Sequence, residues 1–511
     1  MLSVLVAALS GALLTLALPP TGVWPLFLAL VPLFVLVANA PSTRRAFWLG
    51  AAFALTFFAI YILWLPRSFS QPSMLGPFFW AVYPLMLAVL CLFWGLVTYL
   101  ARLLGGRGTG TLWLLPGLWV VMEWLRTQGY LGFPWGTLGY LWLGSPAAQV
   151  ASVVGVYGLS LLATVGAALV AVPFVRSGDG PLAPRRPPPA WRVVAPALAV
   201  VLVAQATVWG AALLRQPVPK PDHTAVLVQG NVDPFGRAIS PAGDLSVHTG
   251  LTRDAVSALG GAPDYVVWPE GAVLGYLVGG PQGRSTRARI QASAPGSGFI
   301  VGGRAVDDGR EYDSAFSLAG GAELDRYDKV YLVPFGERWP LLETAAPLYR
   351  AAFGLLHLPM LVNTTPGPGP VPLKTAEGPV AAYICYESVF PQVQRVMVRD
   401  GARLLINITN DAWFAKGNGA EQHFAMGNMR AIETGRYLLR SGNDGITAAV
   451  DPHGRVMGRL PRHVAATLGA RFAFIDTRTP YVRYGRWYVP GLAAATALIA
   501  LVVGLRRRRL V

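Results

Sequence analysis

The sequence predicts two parts, a multi-pass α-helical membrane domain and an α/β domain built around a sheet. The chain of 511 residues is 53% hydrophobic and only 13% charged, with a mean hydropathy of +0.46. Soluble proteins carry about 25% charged residues. The charge is also uneven, because residues 215–487 hold nearly balanced acids and bases, whereas the remainder holds arginines and almost no acids. Long apolar runs therefore lie in lipid, and the middle of the chain forms a polar domain.

Eight apolar runs are long enough, or nearly so, to cross about 30 Å of hydrocarbon. They cover residues 2–18, 24–40, 46–66, 75–100, 111–126, 148–174, 192–214 and 488–505. The run 111–126 is the weakest, because it is short and contains Glu123 and Arg126. The first run lacks a basic leading segment, and another apolar run follows it directly. We therefore interpret it as a first membrane helix and not as a cleaved signal peptide.

The arginines predict which side of the membrane each loop faces. If the N-terminus is cytoplasmic, 12 arginines outside 215–487 fall on the cytoplasmic side, and only Arg67 and Arg126 fall on the other. This is the bias of membrane proteins towards positive cytoplasmic loops, and it explains the basic pI without a nucleic-acid partner. The predicted domains are 1–214 with seven spans, 215–487 outside the cytoplasm, and 488–511 with the eighth span and an arginine tail. Residues 181–189 form a proline-rich linker.

The loop 127–147 is aromatic, with the segments 132–136 (GFPWG) and 140–142 (YLW). On the predicted topology it faces the same side as the polar domain. It is either an interfacial anchor, as aromatic belts commonly are, or part of an access path for lipid.

Short apolar strands alternate with helical segments between residues 215 and 487, which favours a sheet covered by helices. Strands are predicted at 225–231, 265–270, 298–303, 312–318, 323–331, 381–388, 403–409, 445–450 and 472–476, and helices at 246–259, 389–400 and 421–439.

Three chemically useful residues lie at or near the ends of predicted strands: Glu270, Lys329 and Cys385. A carboxylate can take the proton of a thiol, and an ammonium can stabilise the resulting anion or a tetrahedral oxyanion. The set thus supplies a base, a stabiliser and a nucleophile for acyl transfer. The second cysteine, Cys91, lies in an apolar run, so Cys385 is expected to be a free thiol. The six histidines form no cluster at metal-ligand spacing and are interpreted as ordinary.

Each residue also has a plainer interpretation. Cys385 could be a small buried hydrophobic residue, as most free cysteines are. Lys329 could be a solvated lysine paired with Asp328. Against this, Lys329 is one of four lysines among 42 basic residues, which suggests a position chosen for a compact ammonium.

The motifs around these residues resemble the nitrilase-type carbon–nitrogen hydrolases. The segments are 269–270 (PE) after a strand, 328–337 (DKVYLVPFGE), 384–387 (ICYE) and 410–414 (NDAWF). Together with the order of membrane spans, they resemble the apolipoprotein N-acyltransferase family along the whole chain. The resemblance implies a four-layer αββα sandwich, with Glu270 as general base, Lys329 as stabiliser of the intermediate and Cys385 as nucleophile.

The resemblance also implies supporting residues. Glu337 and Glu387 would support the site, and Tyr386 and Trp413 would line it. A tryptophan typical of the family after the first strand is not found, and Phe235 stands nearby, which puts one wall of the lipid pocket in doubt.

The activity implied by the resemblance is transfer of a fatty acyl group. Cys385 would take the group from a membrane phospholipid as a thioester and pass it to the α-amine of the N-terminal diacylglyceryl-cysteine of an apolipoprotein. The expected location is the bacterial cytoplasmic (inner) membrane, with the catalytic domain on the periplasmic side. The enzyme would act as a monomer, with no metal, no cofactor and no nucleic acid. Residues 340–372, rich in glycine, proline and apolar residues, are hypothesised to be a lid that dips into the outer leaflet.

Other functions are possible from the same residues. A membrane-tethered amidase or nitrilase would share the Glu–Lys–Cys set and transfer to water, but a soluble substrate requires no membrane spans. A transporter or receptor would place ionisable residues inside the spans, where only Glu123 stands out. A scaffolding protein would leave the three residues as coincidence.

Overall fold

The structure is a computed structural model, which describes residues 1–69, 78–176, 188–233, 241–277, 280–339, 341–342, 344–355, 363–414 and 417–508. The chain forms two compact units. The first comprises Met1–Gln128, Phe133–Gln216 and Tyr484–Val511, and the second comprises Gly129–Gly132 and Pro217–Arg483. Phe235, most of the 181–189 linker and part of the hypothesised lid lie outside the described residues.

The first unit is helical. Its helices before the second unit are α1 (Leu2–Leu14), α2 (Leu30–Ala38), α3 (Thr43–Tyr61), α4 (Trp64–Phe69), α5 (Phe78–Gly105), α6 (Thr109–Leu125), α7 (Ala151–Ala171) and α8 (Pro189–Leu213). Small residues allow close packing between them, as at Gly50, where a Cβ would lie 2.5 Å from the carbonyl oxygen of Trp94.

Five helical segments within the described residues are long and apolar enough to cross a membrane: Thr43–Ser68, Val82–Gly105, Pro146–Phe174, Pro189–Leu213 and Pro480–Leu505. The first two predicted spans form the shorter apolar segments Leu2–Ala17 and Trp24–Ala38, because Pro19 and Pro20 interrupt the helix between them. The run 111–126 lies in α6, which has 17 residues and contains Pro116. The structure therefore supports a multi-pass membrane unit, and the number eight stays a prediction.

Several aromatic residues of the predicted loop 127–147 belong to the first unit and pack inside it. Trp135, Tyr140 and Trp142 are all buried, and the Trp142 indole N–H donates to the carbonyl oxygen of Leu159 at 3.0 Å. Glu123 is also buried, and its Oε1 accepts hydrogen bonds from the Trp119 indole at 3.1 Å and from the backbone N–H of Leu138 at 2.9 Å. These contacts give Glu123 a role in holding the fold of this unit.

Within the described residues, the second unit contains twelve strands and the remaining helices. The strands are β1 (His223–Gln229), β2 (Tyr265–Val267), β3 (Val273–Tyr276), β4 (Gly298–Asp307), β5 (Arg310–Ala319), β6 (Ala322–Asp328), β7 (Ala381–Ile384), β8 (Leu405–Thr409), β9 (Leu438–Gly442), β10 (Ala448–Val450), β11 (Val456–Arg459) and β12 (Ala466–Phe472). The helices are α9 (Pro241–Leu259), α10 (Gly280–Gln291), α11 (Ala346–Leu355), α12 (Pro391–Arg399), α13 (Gly419–Thr434) and α14 (Pro480–Tyr484), and α15 (Tyr488–Arg508) belongs to the first unit.

Two sheets form the centre of the second unit. One has the strand order β12-β1-β2-β4-β5-β6 with β3 beside β4, and the other has the order β11-β10-β9-β8-β7. The Ser441 hydroxyl on β9 donates to the carbonyl oxygens of Val228 and Val267 in the first sheet, at 2.8 and 3.1 Å. Helices α9 and α10 pack on the first sheet, and α12 packs on the second. This is the αββα sandwich, as expected.

Most of the predicted elements are present, with shifted boundaries. The predicted helix 421–439 is wrong at its C-terminal end: α13 ends at Thr434, because Gly435 adopts a left-handed conformation with φ of 65° and β9 begins soon after. The predicted strand 381–388 ends at Ile384, and Cys385–Val389 form a short 3-10 turn. The sequence analysis missed β3, β9 and β11, and the predicted strand 472–476 overlaps β12 only at Phe472.

Candidate active site

The centre of the site is the ammonium group of Lys329, directly after β6. Its Nζ lies 2.8 Å from Oε1 of Glu270, 2.5 Å from Oε1 of Glu337 and 3.4 Å from Oδ2 of Asp313. The side chain is fully buried, so the interpretation as a solvated lysine is wrong. Burial opposes the charge, but the three carboxyl groups outweigh it and hold the pKa of Lys329 well above its usual value. Lys329 is therefore a fixed positive charge.

Glu270 is held by donors on both of its oxygens. Lys329 donates to Oε1, and the backbone N–H of Asn410, directly after β8, donates to Oε2 at 2.8 Å. Glu270 follows β2 in the first sheet and Asn410 follows β8 in the second, so the carboxylate joins the two sheets at their strand ends.

Cys385 is placed by the turn that follows β7. Its φ is 47°, in the left-handed region that residues with a Cβ rarely adopt, and such strain is typical of functional sites. The thiol is buried and free, and it interacts electrostatically with both Glu270 and Lys329. Burial and the charge of Glu270 raise the pKa of Cys385 well above its usual value, although Lys329 opposes this. The resting thiol is therefore protonated and needs a neighbouring base.

Three carboxyl groups surround the Lys329 ammonium: Glu270, Asp313 and Glu337. Their oxygens lie within 4.8 Å of one another, as in a cation site. The ammonium itself lies between them, so the protein supplies its own cation. Burial, opposed by the charge of Lys329 and assisted by that of Glu270, raises the pKa of Asp313 to about 7. Burial likewise raises the pKa of Glu337 against the opposing charge of Lys329. Asp313 was not predicted from the sequence.

Glu387 belongs to the turn Cys385–Val389 and accepts four hydrogen bonds. The Tyr327 hydroxyl and the backbone N–H groups of Val330 and Tyr331 donate to Oε1, at 2.7, 2.7 and 3.2 Å. The backbone N–H of Ile384 donates to Oε2 at 2.8 Å. Glu387 thereby ties the turn that carries Cys385 to the segment that carries Lys329.

The two predicted lining residues belong to two different turns, Tyr386 to Cys385–Val389 and Trp413 to Asp411–Phe414. Tyr386 is buried, and its hydroxyl donates to the carbonyl oxygen of Gly132 at 2.6 Å, within the second unit. Trp413 lies half-buried in the short turn Asp411–Phe414 after β8.

A second buried polar network lies behind Cys385, and the sequence analysis missed it by interpreting all histidines as ordinary. His423 Nδ1 lies 2.9 Å from Oδ1 of Asp411, and its Nε2 lies 2.7 Å from the Ser388 hydroxyl and 3.0 Å from the Cys385 carbonyl oxygen. Arg440 donates to Oδ2 of Asp411 at 2.7 Å. Asp411 stands in the quoted NDAWF motif, which was the available signal.

The same network holds a fixed negative charge. Burial opposes ionisation of Asp411, but Arg440 and His423 outweigh it and hold its pKa well below the usual value. The Thr409 hydroxyl donates to Oδ1 of Asp411 at 3.0 Å. The network therefore holds the backbone around Cys385, because His423 also lies 3.0 Å from the Cys385 carbonyl oxygen.

The αββα sandwich with a Glu–Lys–Cys cluster at its strand ends defines the class of the nitrilase-type carbon–nitrogen hydrolases. The family described as "Carbon-nitrogen hydrolase" matches residues 224–474. Among solved structures, an amidase from Nesterenkonia is 19% identical with a TM-score of 0.39 and covers 52% of this chain and 96% of its own. The Nit3 protein of Saccharomyces cerevisiae is 15% identical with a TM-score of 0.39, over 54% and 97%.

Two further comparisons define the family within that class. Residues 10–169 match the family described as "Apolipoprotein N-acyltransferase N-terminal domain". Proteins named apolipoprotein N-acyltransferase are 32% identical in Geobacter metallireducens, over 98% of this chain and 95% of the relative, and 33% identical in Gloeobacter violaceus, over 98% and 94%. The chain belongs to the apolipoprotein N-acyltransferase family.

Proposed function

We propose that this protein transfers a fatty acyl group from a membrane phospholipid to the α-amine of the N-terminal diacylglyceryl-cysteine of apolipoproteins. The similarity to acyltransferases of this name along nearly the whole chain supports the substrates. The observation that carries the chemistry is the buried, protonated Cys385 in electrostatic contact with the Glu270–Lys329 ion pair.

The first half of the reaction forms a thioester. Glu270 takes the thiol proton, and Sγ of Cys385 attacks the ester carbonyl carbon of the phospholipid. Lys329 stabilises the tetrahedral oxyanion, because the charge of a buried ammonium interacts more strongly with an anion in a low dielectric. When the ester C–O bond breaks, Glu270 returns the proton to the leaving oxygen, which releases a lysophospholipid.

The second half uses the same groups in reverse. The α-amine of the acceptor attacks the thioester carbonyl, Glu270 takes the amine proton, and the C–S bond breaks. Glu270 then protonates the departing thiolate, which restores the enzyme. Glu337 and Glu387 position the site, and Tyr386 and Trp413 line the acyl pocket.

The membrane arrangement is part of the proposal. Both substrates are anchored in one leaflet, so a site tethered to that leaflet meets them directly. We place eight spans in the bacterial cytoplasmic membrane, with domain boundaries at 214 and 487 and the catalytic domain outside the cytoplasm, on the arginine distribution. The enzyme acts as a monomer, and a lid at residues 340–372 controls access from the outer leaflet.

The test is intact-protein mass spectrometry of the purified enzyme incubated with phospholipid, beside the variants Cys385→Ala and Cys91→Ala. We expect a gain of one fatty acyl group in the wild type and in Cys91→Ala, none in Cys385→Ala, and discharge by a diacylglyceryl-cysteine peptide. Turnover of small amides with no acyl adduct would instead indicate the membrane-tethered amidase and overturn the proposal.

A further inference from the structure

Asp313 on β5 belongs to the carboxyl cluster but has no part in the mechanism above. Its Oδ2 lies 3.4 Å from Nζ of Lys329, and a carboxyl oxygen of Asp313 lies within 4.8 Å of carboxyl oxygens of both Glu270 and Glu337. With Glu270, Asp313 and Glu337 all ionised, the cluster would carry two net negative charges around one ammonium. That charge would oppose formation of an anion on Cys385 or on the substrate.

The hydrogen-bond donors show which of the three groups retains a proton. Glu270 accepts hydrogen bonds from the Lys329 ammonium and from the backbone N–H of Asn410. Glu337 accepts hydrogen bonds from the Lys329 ammonium and, at 2.8 Å, from the backbone N–H of Val333. Among the described residues, Asp313 receives only the long contact from Lys329. Donors favour the ionised form, so Asp313 is the group least able to hold a negative charge.

A hydrogen bond between two carboxyl groups requires a proton on one of them. Carboxyl groups as close as these can hydrogen-bond only through such a proton, and Glu270 already accepts from two donors whereas Asp313 has one long contact, so the proton lies on Asp313, which donates to Glu270. Burial, opposed by the charge of Lys329 and assisted by that of Glu270, raises the pKa of Asp313 to about 7.

The charged groups on the neighbouring strands do not change this balance. Arg304 on β4 is opposite Asp313 in the register, but its guanidinium pairs with Glu311 at 2.7 Å. On β6, Arg326 pairs with Asp328 at 2.9 Å. Within the part of the chain that the structure describes, Lys329 is thus the cation that reaches the Asp313 carboxyl group.

We propose that Asp313 is a positioning residue that works in its protonated form, donating its O–H to the Glu270 carboxylate. The hydrogen bond orients the base, and the neutral carboxyl group of Asp313 keeps the net charge of the cluster low. Ionisation of Asp313 as the pH rises removes the donor and adds a negative charge beside Cys385. The inference rests on the proposed role of Glu270 as the base.

The test compares Asp313→Asn with Asp313→Ala. Asparagine supplies an N–H donor of the same shape but cannot ionise, whereas alanine supplies no donor. The rate of Cys385 acylation by phospholipid is measured by mass spectrometry between pH 6 and pH 9, which involves no acceptor amine. We expect the wild-type rate to fall above about pH 7, Asp313→Asn to retain the low-pH rate without that fall, and Asp313→Ala to lose about tenfold or more at every pH.

A second readout separates this role from a purely structural one. The pH dependence of Cys385 alkylation by iodoacetamide reports ionisation of the thiol, and we expect its midpoint to be lower in Asp313→Asn than in the wild type. Asp307→Asn, at the exposed end of β4, is the matched control and should leave both profiles unchanged.

Two results would overturn the inference. If Asp313→Asn folds normally but loses the low-pH rate, Asp313 works as a carboxylate. If Asp313→Asn keeps the wild-type pH profiles, its ionisation does not affect the site. Absence of an acyl adduct in the wild type would instead reject the proposed function, so the two failures are distinguishable.

Discussion

Lys329 Nζ lies 2.8 Å from Oε1 of Glu270, and this ion pair joins segments 59 residues apart in the chain. The pair holds the proposed base and the proposed stabilising charge together, and both interact electrostatically with Cys385. An ion pair of this kind is costly to bury and costly to break. Removing the Glu270 carboxylate should therefore slow acylation of Cys385, whereas removing the Lys329 ammonium should lower the stability of the protein.

Glu270→Gln should block acylation of Cys385. The amide keeps the shape of the side chain but cannot take the thiol proton, and the raised pKa of the thiol leaves little thiolate without a base. We expect the acylation rate to fall by about 10²-fold or more. The control is Glu377→Gln, whose side chain is exposed. A normal acylation rate in Glu270→Gln would remove Glu270 from the role of base.

Lys329→Met should destabilise the protein, because it leaves buried carboxylates without their cation. We expect a loss of about 3–5 kcal/mol in the free energy of unfolding. The carboxyl groups of the variant take up protons more easily, so the loss should shrink as the pH falls from about 8 to about 5. Thermal unfolding in detergent across this range is the measurement, with the exposed Lys374→Met as control. Equal stability of both variants would contradict the structural role of the ion pair.

Asp411→Asn should reveal the stability stored in the second network. The folded protein holds the pKa of Asp411 below its unfolded value, so this stabilisation is present above about pH 4 and is lost as the pH falls further. We expect the free energy of unfolding of the wild type to exceed that of Asp411→Asn by about 3–5 kcal/mol near pH 7, and this difference to narrow below about pH 4. Denaturant unfolding at several pH values measures the difference.

The control for that experiment is Asp476→Asn. The Asp476 carboxylate is 77% exposed and pairs with Arg403, so its loss should cost at most about 1 kcal/mol. If the difference in free energy of unfolding between the wild type and Asp411→Asn does not change in acid, Asp411 is not ionised in the folded protein.

Gly445→Ala should disturb the turn Cys385–Val389 indirectly, by displacing Asp411. A Cβ at Gly445 would lie 2.6 Å from Oδ2 of Asp411, and Asp411 is held in place by Arg440 and His423. We expect a loss of about 1–3 kcal/mol in the free energy of unfolding, because the crowded carboxylate must move, together with slower acylation of Cys385. Gly469→Ala on β12 is the control, since its Cβ would meet nothing within 4 Å. Similar losses in both variants would contradict this account.

The sequence predicted the architecture because hydropathy and strand signals are local. Apolar runs separated the membrane part from the sheet-centred part, and the αββα sandwich followed from the resemblance of the motifs. Glu270, Lys329 and Cys385 could be selected because each stands near a strand end in a recognisable motif. The same patterns misplaced the end of α13 and missed β3, β9 and β11, since strands of four or five residues carry little periodicity.

The sequence by itself determined which residues could carry the chemistry, and the tertiary structure decided what surrounds each of them. Asp313 and His423 are unremarkable in the sequence, but the fold places one against Lys329 and the other behind the peptide of Cys385. Whether Lys329 is solvated or fully buried was equally undecided until the strands were arranged. The reason is physical: pKa values and hydrogen-bond partners depend on which strand ends meet, and spacing along the chain does not specify that.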